Sequence, residues 1–106
     1  MTDSDDLREL ERELHRVVDR LISMPLTRAA GTAADCRRAA LEIVEQTRIL
    51  TDEIPAGAAV PELGPQGLGA MLAVLGTDYL EAARRTPHPD VSVVTAALVD
   101  LRRALP

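Results

Sequence analysis

Phenylalanine and tryptophan are both missing from these 106 residues, and Tyr79 is the single aromatic. A core built from this chain is therefore aliphatic. Leucine, valine and alanine bury less area per residue than rings do, but they let helices approach closely. Lysine and asparagine are missing as well, so every basic residue is an arginine. That bias, with abundant alanine, glycine, aspartate and valine, is what a GC-rich genome produces. The one cysteine, Cys36, excludes an internal disulfide and offers no zinc-ligand pattern. The longest apolar run, 68–76, is far shorter than the roughly 20 residues that a membrane span needs. Basic residues are missing from the start of the chain, where Asp3, Ser4, Asp5 and Asp6 reverse the charge of a signal peptide. The expected location is the cytoplasm. A net charge of −5 argues against general nucleic-acid binding and against an anionic membrane surface.

What is present is helical periodicity. Leu7, Leu10, Leu14, Val17 and Leu21 step by three and four residues. So do Ala33, Cys36, Ala40, Ile43, Thr47 and Leu50; Leu68, Met71, Leu72, Leu75, Tyr79 and Ala82; and Val91, Val94, Leu98, Leu101 and Leu105. A turn of 3.6 residues brings each set onto one face, and that face must be buried. The expected fold is all-α: a small up-down four-helix bundle forming one domain over 1–106. Its helices are predicted over about 4–23, 27–53, 65–85 and 90–105.

Punctuation supports these boundaries. Pro25 ends the first helix and joins it to the second through a proline turn. The second either runs unbroken from Thr27 or breaks at Gly31 and restarts, with Thr32 and Asp35 as a variant capping box. One long Gly/Pro-rich loop, 54–67, precedes the third helix, whose first turn suits Pro65. Asp90 is the predicted N-cap of the fourth helix.

Candidate chemistry is sparse. Arg8, Arg12, Arg16 and Arg20 recur every fourth residue and form a ladder on the outer face of the first helix. They make a candidate surface for anions or an acidic partner. Asp5, Glu9 and Glu13 lie three residues before successive rungs, which favours a solvated face laced with ion pairs. Glu11, His15 and Asp19 also lie one turn apart, but on the side away from the seam, whereas metal ligands in a bundle point inward. No metal and no cofactor is expected. Cys36 falls on its seam and reads as a small buried hydrophobe. His88, between two prolines, reads as a turn residue. The stretch 64–69 is glycine-rich, yet no strand precedes it and phosphate-loop spacing is missing. No catalytic residue is assigned.

Beside the main seam of the third helix, Gly69, Ala73, Gly76 and Leu80 form a flanking stripe. A glycine inside a helix costs about 1 kcal/mol relative to alanine, which close approach of another helix offsets. That helix belongs either to the same chain or to a second copy, so the stripe is the candidate interface. The expected function is a non-enzymatic helical interaction or regulatory module that binds a protein partner or forms a homodimer. The alternative is a bundle that binds a small anionic ligand, or a small all-α enzyme.

Overall fold

The computed structural model describes residues 3–51 and 64–106. Among them every regular element is helical: α1 (Asp3–Ser23), α2 (Leu26–Ala30), α3 (Ala33–Leu50), α4 (Leu68–Arg84) and α5 (Ser92–Ala104). A 3-10 turn, Pro65–Gly67, leads into α4 and carries Pro65 in its first turn. No helix among the described residues is long and apolar enough to cross a membrane.

Local chemistry explains the boundaries. Asp3, Asp5 and Asp6 sit in the first turn of α1, where the helix dipole favours negative charge. Pro25 cannot continue that helix, and its carbonyl instead accepts the N–H groups of Arg28 and Ala29 to start α2. The second predicted helix is broken at Gly31 and Thr32. The expected capping box does not form. Thr32 Oγ1 turns back to the Ala29 carbonyl at 2.7 Å, satisfying the end of α2 rather than the start of α3. That helix was expected to reach Glu53; it ends at Leu50, because Thr51 is extended at φ −147° and ψ 145°. The remainder of the predicted Gly/Pro-rich loop, up to residue 63, lies outside the described residues. The fourth predicted helix starts at Ser92 rather than Asp90. Asp90 Oδ1 nevertheless accepts the Ser92 N–H at 3.1 Å and the Ser92 hydroxyl at 2.6 Å, as a turn just ahead of the helix.

Each predicted seam is turned inward. Val17, Cys36, Ala40, Ile43, Leu72, Val94 and Leu98 are fully buried, and Tyr79 fills the centre as the one large ring. Both α1 and α3 pack against both α4 and α5. The two pairs therefore alternate around the core, with α1 across from α3.

The helix directions follow from side-chain contacts. Gly69 lies beside Leu21 and Ile22, Gly76 beside Leu14, and Arg84 bonds Glu11, so α1 and α4 are antiparallel. His88 meets Asp3, Arg102 meets Glu13 and the Pro106 carbonyl meets Arg20, so α5 runs parallel to α1. The short α2 packs on the 3-10 turn, which puts the starts of α3 and α4 at one end. Consecutive helices α3 and α4 thus share a direction, and the alternating up-down order expected from the sequence is not the one these contacts describe. A short loop would have forced them antiparallel.

Candidate functional site

The outer surface between α3 and α5 holds an open groove of about 300 Å³. The two helices run antiparallel here. Asp35, Arg38, Ala39 and Glu42 line it from α3, and Ala97, Asp100, Leu101 and Ala104 line it from α5. Helical spacing puts each set on one face. Ala39 and Leu101 are buried and form the base, while the short side chains of Ala97 and Ala104 leave room above it. The same periodicity carries the seam further. Ile49 follows Glu42 by two turns and is 62% exposed; Val93 precedes Ala97 by one turn and is 40% exposed. Among the described residues the rim carries three carboxylates and one guanidinium, and Arg38 Nη1 already bonds Asp35 Oδ1 at 3.0 Å.

A second feature lies between α1 and α5. The Glu13 side chain is 7% exposed and accepts Arg102 Nε at 2.8 Å and Arg16 Nη1 at 3.1 Å. The Arg102 hydrogen bond holds its carboxyl below the ordinary carboxylate value against the opposing effect of burial, and the charges of Arg102 and Arg16 add to the shift. The sequence shows Glu13 only as a neighbour of Arg16. Its bond to Arg102 joins residues far apart in the chain, so no local spacing reveals it.

The predicted ladder lies on the solvent side of α1. Arg8, Arg12, Arg16 and Arg20 are all exposed. Arg8 sits 4.0 Å from Asp5, Arg16 bonds Glu13, and Arg20 donates to the Pro106 carbonyl. His15 is exposed, Glu11 is drawn to Arg84 at 3.0 Å, and no cluster able to hold a metal ion occurs among the described residues. Cys36 is fully buried beside Thr32 Oγ1 at 3.6 Å, and burial pushes its thiol pKa up, which disfavours the nucleophilic thiolate. His88 occupies the turn at φ 48° with Nδ1 2.9 Å from Asp3 Oδ2.

The candidate interface stripe is placed inside the fold. Gly69 and Gly76 are buried against α1 of the same chain, Leu80 is buried in the core and Ala73 is partly buried. The close approach that offsets Gly76 is made by Leu14: a Cβ at Gly76 would lie 2.5 Å from Leu14 Cδ1. The groove between α3 and α5 leaves only a faint mark in the sequence. Its trace there is the 4-3-4 spacing of Val93, Ala97, Asp100 and Ala104, which lies one residue from the stronger Val94–Leu98–Leu101–Leu105 seam and is masked by it.

No protein-family model matches the sequence, and neither the curated proteins nor the solved structures give a match.

Proposed function

We propose that this chain is a non-enzymatic helical interaction module, in which α1, α3, α4 and α5 form a four-helix bundle that presents the α3/α5 seam to another cytoplasmic protein. The observation that carries the reading is the seam itself: a groove with an apolar base, continued by two exposed branched side chains, Ile49 and Val93. Exposed apolar surface that is aligned rather than scattered is the mark of a docking face. Self-association remains part of the same reading, because such a seam accepts any complementary helix.

The test is site-specific photo-crosslinking in cells, with a photoreactive residue at Ala97 and, as a control, at the exposed Thr77 on α4. Defined adducts from position 97 that are lost on Ala104→Arg support the reading. Indistinguishable adduct patterns from both positions, or none from either, overturn it. Light scattering of the purified chain reports whether the adduct partner is a second copy.

A further inference from the structure

Resting on that reading, we propose that the α3/α5 seam takes a basic amphipathic helix of another protein. The shape calls for a helix. The lining runs for two turns along each wall, and Ile49 and Val93 extend the seam to about four turns, or roughly 20 Å. Small residues at Ala39, Ala97 and Ala104 leave a trough between two antiparallel helices, into which the ridge of a third can settle at the usual 8–10 Å axial separation. Apolar side chains repeating every three and four residues on the incoming helix would meet Leu101 at the base, then Ile49 and Val93 further along.

The charge of the rim specifies what flanks that ridge. Arg38, the one guanidinium among the described residues that line the groove, is engaged by Asp35. Glu42 on one wall and Asp100 on the other are then surplus negative charge on either side of the trough. Among the described residues, Glu42 accepts a neutral donor, Gln46 Nε2 at 3.2 Å. Arginine or lysine beside the incoming ridge would pair with both walls, and acidic flanks would be repelled by both. A second copy fits less well. The arginine-rich helix of this chain, α1, has Leu10, Leu14, Val17 and Leu21 buried in its own core and presents no ridge. A twofold pairing of seams would set carboxylate rims against each other.

Three fluorescent peptides of about four helical turns test this. One carries a leucine ridge with lysine flanks, one the same ridge with glutamate flanks, and one the lysine composition scrambled to destroy the ridge. Anisotropy titrations should show the first binding at least ~10-fold more tightly than either other. Amide shift changes should concentrate at Ala39, Ala97, Leu101 and Ala104. The double variant Glu42→Lys, Asp100→Lys should transfer the preference to the glutamate-flanked peptide; if it does not fold, Ala104→Arg, at an exposed position, should abolish binding of the first. Equal binding of the lysine and glutamate peptides, equal binding of the scrambled peptide, or no binding by any of them overturns the proposal. So does a dimer that Ala97→Arg converts to monomer. In each case position-97 adducts to a protein partner still sustain the broader interaction reading, and their loss defeats that reading separately.

Discussion

Arg102 on α5 donates through Nε to Oε2 of Glu13 on α1 at 2.8 Å, linking two parallel helices through a carboxylate that is almost wholly buried. Arg102 is 36% exposed and Arg16, the other partner of Glu13, is 54% exposed. The more enclosed pair should matter more, because removing Arg102 leaves Glu13 desolvated and poorly compensated. Arg102→Met is expected to cost about 1–3 kcal/mol, whereas Arg16→Met should cost under about 1 kcal/mol. Urea unfolding of both variants checks the order. Equal losses would show that the α1–α5 bridge has no special weight.

The same carboxylate sets an acid limit. Its folded pKa lies below the ordinary 4.5, so the stabilisation is complete above that value and is lost as pH falls through the folded pKa. Glu13→Gln should lower stability at neutral pH and flatten the decline in strongly acidic buffer. Thermal melts of both proteins across the acid range measure this. An acid slope unchanged by the substitution would place the titrating group elsewhere.

Gly76 and Gly69 share one stripe of α4 but should respond in opposite directions. A methyl at Gly76 meets the buried Leu14 side chain at 2.5 Å, which forces repacking in a closed core. Gly76→Ala is expected to destabilise by about 1–3 kcal/mol despite the gain in helix propensity. A methyl at Gly69 meets Ile22 Cγ1 at 3.0 Å, and Ile22 is 69% exposed and free to move aside. Gly69→Ala should be neutral or stabilising by up to about 1 kcal/mol. Denaturant midpoints of the two variants decide the matter.

Tyr79 supplies an internal titration probe, since it is the one phenol in this chain and no tryptophan or phenylalanine adds near-ultraviolet absorbance. Burial, with a smaller effect from the Asp90 charge, pushes its phenol from 10.0 up to about 12. The folded chain therefore keeps a proton that the unfolded chain loses, and stability should fall as pH rises from about 10 towards 12. Phenolate absorbance of the native protein should show no step at the ordinary value. Tyr79→Phe should remove the alkaline slope and cost about 1 kcal/mol or less, because the hydroxyl reaches the Asp90 carbonyl only at 3.4 Å.

Cys36 should resist thiol reagents in the native chain and react at once in denaturing urea. Its side chain is fully buried and its pKa raised, so neither access nor thiolate is available until the helices part. Rapid native labelling would mean that α3 opens locally at low cost.

The sequence determined the helices and their inward faces. Leu10, Leu14, Val17 and Leu21 on one helix and Val94, Leu98 and Leu101 on another are buried as their spacing required, because helical periodicity is a local property. Pro25 and Pro65 likewise marked real boundaries, since a missing N–H acts within one turn. Gly31 is ambiguous for the opposite reason: whether a glycine breaks a helix depends on what the turns on either side pack against, and α2 packs on the 3-10 turn before α4. Tertiary structure alone decided that α3 and α4 share a direction, that Leu14 fills the space Gly76 leaves, that Glu13 belongs to Arg102, and that alanines of α3 and α5 form a groove. Each of these joins residues distant in the chain, and a face that must be buried does not say against which neighbour it is buried.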